Sequence, residues 1–123
     1  MTRWQLDHVQ LAIPVGAEEL CDGFYVGLLG FAVQTKPPVL ELRGGRWYRR
    51  DDVQVHLGVE GDFRPARKAH PALAIDGYDD LLERLRAAEV EVLENDEIAG
   101  TRRCHVLDPV GNRIELIDVT TVR

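Results

Sequence analysis

Apolar and polar residues alternate along 5–13, with Val9, Leu11 and Ile13 on one side and His8 and Gln10 on the other. That period of two predicts a strand. Between 17 and 29 the period lengthens, and Ala17, Leu20, Cys21, Phe24 and Leu28 share one face of a helix. Gly23 and Gly27 weaken that helix, and Gly30 is placed to stop it. Two or three strands follow. The last covers Asp52–Val59, where Val53, Val55, Leu57 and Val59 oppose Gln54 and His56. The second half runs the same way. A strand over 70–76 sets Leu73 and Ile75 against His70, and Asp76 is positioned to cap a helix over 78–88 carrying Leu81, Leu82 and Leu85. Strands then fit 90–94, 101–107 and 112–118. Each half reads β-α-β-β-β, which makes the expected fold class α+β.

The two halves are related in sequence. His8-Val9-Gln10-Leu11-Ala12-Ile13 and His70-Pro71-Ala72-Leu73-Ala74-Ile75 both read His-x-x-Leu-Ala-Ile, 62 residues apart. Leu29–Val33 aligns with Ala88–Val92, and Val55-His56-Leu57 with Ile114-Glu115-Leu116, both 59 residues apart. The three-residue change falls near Pro14-Val15-Gly16, where a loop absorbs it. A period of about 60 residues is too long for a solenoid unit. It indicates a duplicated module inside a single domain, 1–123, with module one at about 4–60, module two at about 69–120, and 61–69 as the connection.

Side chains on a strand alternate between faces. His8, His56, His70 and Glu115 therefore all lie off the helix-packed face, and the repeat pairs His8 with His70 and His56 with Glu115. A pseudo-two-fold relation between modules would bring the four together. Imidazole and carboxylate ligands suit first-row divalent metals. Two histidines and a carboxylate suit Fe(II), with Zn, Ni, Co and Mn as alternatives. The competing reading is a half-exposed sheet whose polar residues meet water or local partners. Asp108-Pro109-Val110-Gly111-Asn112 is a dense cluster of turn residues. A five-residue loop there pairs Leu107 with Arg113 and His105 with Glu115, so His105 becomes a candidate general acid or base beside Glu115. A surface histidine is the alternative.

Composition narrows the function classes. The 15 Lys and Arg against 21 Asp and Glu leave a formal charge of −6, so no overall field draws nucleic acid or anionic lipid. No apolar run approaches the roughly 20 residues of a membrane span, and Met1–Asp7 has no signal-peptide core. Cys21 and Cys104 form no disulfide framework or thiolate motif, which points to the reducing cytoplasm.

Five segments in order carry a family resemblance: Leu6-Asp7-His8-Val9, Phe24-Tyr25-Val26-Gly27-Leu28-Leu29-Gly30-Phe31, Val55-His56-Leu57, His70-Pro71-Ala72-Leu73, and Asp108-Pro109-Val110-Gly111-Asn112-Arg113-Ile114-Glu115-Leu116. From Leu6 to Asp118 the chain resembles the vicinal oxygen chelate superfamily, which includes glyoxalase I, the bleomycin-resistance proteins and the extradiol dioxygenases. The linker Asp62–His70 also resembles a motif of small glyoxalase-like bacterial proteins. The resemblance implies paired βαβββ modules forming a cup-shaped mixed sheet around one divalent metal. Its ligands would come from the first and last strands of each module. Carried over, His8, His70 and Glu115 match the His/His/Glu set of extradiol dioxygenases and fosfomycin-resistance transferases. The fourth position is a glutamate in bacterial glyoxalase I and is His56 here, which argues against lactoylglutathione lyase activity.

The expected function is a glyoxalase-like metal-dependent enzyme, of lyase/isomerase or dioxygenase type, acting on a small oxygen-chelating substrate. Glu115, His56 and His105 are the candidate catalytic groups, and His8, His70, Glu115 and His56 the candidate ligands. Trp47, Arg49 and Arg67, with Lys68, are candidates for holding substrate; the alternatives are an ordinary packed aromatic and solvated surface charges. The competing function is a bleomycin-resistance-type binding protein without catalysis. The length of 123 residues counts against the larger extradiol dioxygenases, which carry four such modules. Superfamily members of this size are often dimers, so the expected partners are a small-molecule substrate and a second copy of the chain, without nucleic acid or membrane.

Overall fold

The computed structural model describes residues 1–121. The chain divides into two compact units, Met1–Arg64 and a second beginning at Pro65. In the first unit, β1 (Val9–Ile13), α1 (Glu18–Tyr25), β2 (Ala32–Gln34), α2 (Pro38–Glu41), β3 (Arg46–Arg50) and β4 (Val53–Val59) build a sheet of order β1-β4-β3-β2. In the second, β5 (Ala72–Ile75), α3 (Tyr78–Ala87), β6 (Leu93–Asn95), β7 (Arg103–Leu107) and β8 (Arg113–Asp118) give β5-β8-β7-β6. Each sheet is mixed: its first strand runs parallel to its last, and the remaining pairs are antiparallel. The second unit therefore has the expected βαβββ order, and the first has it with the short α2 inserted between β2 and β3.

The register reproduces the repeat. Gln10 lies opposite His56, and Ala72 opposite Glu115. Those are the partners that the two sequence offsets, 62 and 59, equate. One strand further in, Trp47 faces His56 and His105 faces Glu115, so Trp47 and His105 hold equivalent places.

Each helix covers one face of its sheet. Cys21, Phe24 and Tyr25 of α1 are buried, as are Leu11, Ile13, Tyr48, Val55 and Leu57 from its sheet. In the second unit Tyr78, Leu81, Leu82 and Leu85 of α3 are buried, together with Cys104, Val106, Ile114 and Leu116. Burying each large apolar side chain contributes about 1.5–3 kcal/mol.

Several expected boundaries move. The strands expected from 5 and from 70 begin at Val9 and Ala72, so His8 and His70 sit just before their strands. The helix expected over 17–29 ends at Tyr25. Beyond it Gly27 N–H and Leu29 N–H bond back five residues, to the carbonyls of Asp22 and Phe24, in a wider turn. A Cβ at Gly27 would come 2.4 Å from the Gly23 carbonyl oxygen, so only glycine permits that approach. Leu20 lies at the margin of the helical stripe and is exposed, while Tyr25 is buried. Asp76 does not cap α3: Gly77, with φ of +80°, holds the N-cap position without a side-chain bond. Asp79 and Asp80 instead place negative charge at the first turn. The short α2 was not expected, although Pro38 at its start is a favourable first helical residue.

Leu85 has no exposed surface. Leu85→Ala is expected to destabilise the protein by about 2–5 kcal/mol, read as a lower urea midpoint with an unchanged slope.

Candidate metal centre

The site in the second unit is built on the turn Asp108–Asn112. Asp108 Oδ1 accepts the N–H groups of Val110 (3.1 Å) and Asn112 (2.8 Å), and Asp108 N–H donates to the Asn112 carbonyl at 2.8 Å. Gly111 takes φ of +94°, and a Cβ there would meet Pro65 at 3.3 Å. The loop sets His105 opposite Glu115 and Leu107 opposite Arg113, the register expected from a five-residue turn.

The same turn anchors the segment leading to His70. Asn112 is fully buried, and its Oδ1 accepts the Ala66 N–H at 2.8 Å. Arg113 N–H donates to the Ala66 carbonyl at 2.8 Å, and Glu115 N–H to the Pro71 carbonyl at 3.0 Å. Residues 66–71 thus lie along β8, which carries His70 to Glu115. His70 Nδ1 is 2.9 Å from the Lys68 carbonyl oxygen and 3.1 Å from that of Arg67. Carbonyl oxygens only accept, so Nδ1 carries the proton. Nε2 then points at Glu115 Oε1, 3.1 Å away. His105 Nε2 lies 3.4 Å from the same oxygen.

Two imidazole nitrogens and a carboxylate oxygen therefore converge; His70, His105 and Glu115 each offer an atom within 4.8 Å of the others. Lone pairs facing a carboxylate at these distances repel unless a proton or a cation lies among them. The donor set, two imidazoles and one carboxylate, suits a first-row divalent cation. A backbone carbonyl holding the far nitrogen of His70 is the support that metal-binding histidines commonly have. The residues present fit a divalent metal.

Arg103 also belongs to the cluster and was not among the expected site residues. Its Nη1 lies 3.3 Å from Glu115 Oε2, and its Nη2 donates to Asn95 Oδ1 at 2.9 Å. The β7 register was the available signal, because Arg103 is two residues from His105 and so shares its face. Burial pushes the Glu115 carboxyl up, but hydrogen bonds from His70 Nε2, where a proton rather than a metal lies between them, and from Arg103, with the charges of Arg103 and His105, outweigh it and hold the group below its ordinary value. Burial pushes the His105 imidazole down; Glu115 opposes this, but the positive charges of His70 and Arg113 add to burial, and the balance favours the neutral, ligating form.

The equivalent places in the first unit are filled differently. His8, His56 and Trp47 form a stack of rings: His8 to His56 is 4.0 Å at 15°, and Trp47 to His56 is 4.4 Å at 10°. His8 Nδ1 also pairs with Asp7 at 2.8 Å. In-plane lone pairs on parallel rings do not converge on one point, so His8 and His56 are not oriented to chelate one ion between them. Burial, and then the charge of His8, push the His56 imidazole down. Arg49 is exposed, and its Nε donates to the Asp51 carbonyl at 3.2 Å. Of the expected set, then, the structure brings together His70, His105 and Glu115 in one unit and His8, His56 and Trp47 in the other. Arg67 lines a cavity of about 540 Å³ that His105 also lines. Among the described residues, no helix is long and apolar enough to cross a membrane.

No protein-family model matches the sequence, and no curated protein matches it. Solved structures do match. A glyoxalase family protein from Bacillus anthracis is 37% identical, with a TM-score of 0.92 over 96% of this chain and 97% of that one. A genomically encoded fosfomycin resistance protein from Listeria monocytogenes shares the fold at 16% identity, with a TM-score of 0.74 over 95% and 94%. An antibiotic-binding protein from a Streptomyces species is 26% identical, with a TM-score of 0.68 over 94% and 98%.

Because the folded Glu115 carboxyl sits below its ordinary value of 4.5, its contribution to stability is present above the unfolded value and is lost as pH falls through the folded one. Urea denaturation of metal-free protein between pH 6 and pH 3 is expected to show that loss, and Glu115→Gln is expected to show less of it.

Proposed function

The chain belongs to the glyoxalase family, within the vicinal oxygen chelate superfamily, and on that footing we propose that it is a divalent-metal-dependent enzyme binding a small substrate through two of its oxygens. The convergence of His70 Nε2, His105 Nε2 and Glu115 Oε1, with the His70 proton held on the far nitrogen by two carbonyls, carries this reading. His105 enters as a ligand rather than as the proton carrier expected from the sequence. A bound divalent ion supplies positive charge to the substrate oxygens and stabilises negative charge developing there during reaction. Three protein ligands leave positions open for substrate. Arg103 holds Glu115 Oε2 and so orients Oε1 toward the two imidazoles. His56, held in its neutral form by burial, is proposed as a proton carrier.

Metal analysis of purified protein tests the reading. The parent is expected to hold about one divalent ion per chain, and His70→Ala or His105→Ala to lower the affinity at least about tenfold. A parent that takes up no added Fe, Zn, Ni, Co or Mn would sink it. The same measurement on His8→Ala and His56→Ala tests the wider ligand set suggested by the repeat. Oxygen uptake with catechols reads the dioxygenase branch, and thioester formation from methylglyoxal and a thiol reads the lyase branch. His56→Ala with unchanged metal content and lost turnover supports its proton role. Sedimentation tests the homodimer, which is part of the proposal.

A second reading has one observation in its favour. Arg103 already gives Glu115 a cationic partner, so the cluster is electrostatically tolerable without metal. Metal-free protein that binds an aromatic antibiotic tightly, with no activity on addition of metal, would mark a binding protein instead.

A further inference from the structure

Among the described residues five guanidinium groups have an ion pair: Arg46 meets Asp22, Arg50 meets Asp51, Arg86 meets Glu94, Arg102 meets Asp79, and Arg103 meets Glu115. Of the arginines without one, Arg67 and Arg113 line the 540 Å³ cavity of the second unit. We propose that these two arginines bind a carboxylate on the substrate's tail, so that the substrate is a small organic acid whose chelating oxygens are a separate group. The proposal rests on the metal-dependent reading of His70, His105 and Glu115, and it names the class of molecule that site takes.

The two arginines are held near each other by backbone. Arg113 N–H donates to the Ala66 carbonyl, and Ala66 N–H donates to the Asn112 side chain, so Arg67 follows directly on a residue tied to β8. Gly111 leaves room beside Arg67, since a Cβ there would lie 3.5 Å from Arg67 Nη2. Arg113 precedes Glu115 by two residues on β8 and shares its face. The two Cα atoms are on the order of 7 Å apart along the strand. A molecule that reaches both places needs a body of several carbons between its chelating oxygens and its carboxylate. The cavity offers that body an apolar wall, because Leu93 and Leu107 line it and their exposed surface is otherwise unexplained. Its volume lies in the range of small-molecule sites.

Glu89 and Glu91 also line the cavity, ahead of β6. Strand β7 separates β6 from β8. The acidic pair therefore lies toward the β6 edge and Arg113 on β8, so an anion is favoured at the β8 end of the cavity. Planar guanidinium groups match a carboxylate through paired N–H donors, which is why two unpaired arginines select a carboxylate over a neutral hydroxyl.

The test uses hexanoate, which has an apolar tail and a carboxylate but no second oxygen pair with which to chelate metal. Full-length protein stripped of metal is titrated with hexanoate, hexan-1-ol and hexylammonium, following the arginine side-chain N–H signals by NMR. Hexanoate is expected to saturate and to shift the Arg67 and Arg113 signals, and to bind at least about tenfold more tightly than hexan-1-ol. Arg67→Gln and Arg113→Gln are each expected to weaken it while leaving metal uptake at the parent level. Arg113→Lys, which keeps the charge, guards against loss through misfolding and is expected to retain part of the binding. Equal binding of hexan-1-ol, a preference for hexylammonium, or full hexanoate binding in both glutamine variants would overturn the proposal. Hexanoate binding at both arginines in a protein that takes up no metal would retain the anion site and overturn the metal-dependent reading instead.

Discussion

The hydrogen bond from Ala66 N–H to the buried Asn112 amide is the constraint on which the candidate centre depends. It is not a bond within the sheet. It ties an irregular segment to the turn of a hairpin, and the turn is itself held closed by Asp108. Remove the tie and the Ala66 N–H is left without its partner, at a cost of about 1–3 kcal/mol. The segment that delivers the His70 carbonyl contacts would also lose its register against β8. The tautomer of His70, its aim at Glu115 and the placing of Arg67 all follow from where residues 66–71 lie.

Glu115 shows how closely balanced the centre is. Its carboxylate is almost buried, which alone favours the neutral acid. Three positive or potentially positive neighbours reverse that preference, and they divide the two oxygens: Arg103 on one, the imidazoles on the other. The guanidinium keeps its charge at any pH the fold survives. Glu115 is therefore held toward its anionic form, and what varies above its titration is the occupant of the space between Oε1 and the two Nε2 atoms.

Much of this was legible in the sequence, for physical reasons. The period of two and the repeated His-x-x-Leu-Ala-Ile located six strands and both long helices, and the two offsets already equated residue 10 with 72 and residue 56 with 115, equivalences that the strand pairings respect. The cluster of turn residues at 108–112 was enough to pair His105 with Glu115. What escaped was whatever depends on atoms rather than on alternation. Arg103 reads as one more surface charge until its contact with Glu115 is seen. The early end of α1 depends on how closely Gly27 approaches Gly23, a distance that no pattern encodes. The face of His105 is legible in the sequence, but its approach to His70 is not.

The two modules share a backbone plan but fill three equivalent positions with different chemistry: flat rings at 8, 47 and 56, and an ionic cluster at 70, 105 and 115. Duplication has left them unequal in their tolerance of change. Trp47 in the stack can be exchanged for another ring without stranding any charge. A change at 115 leaves the half-buried Arg103 guanidinium without its carboxylate.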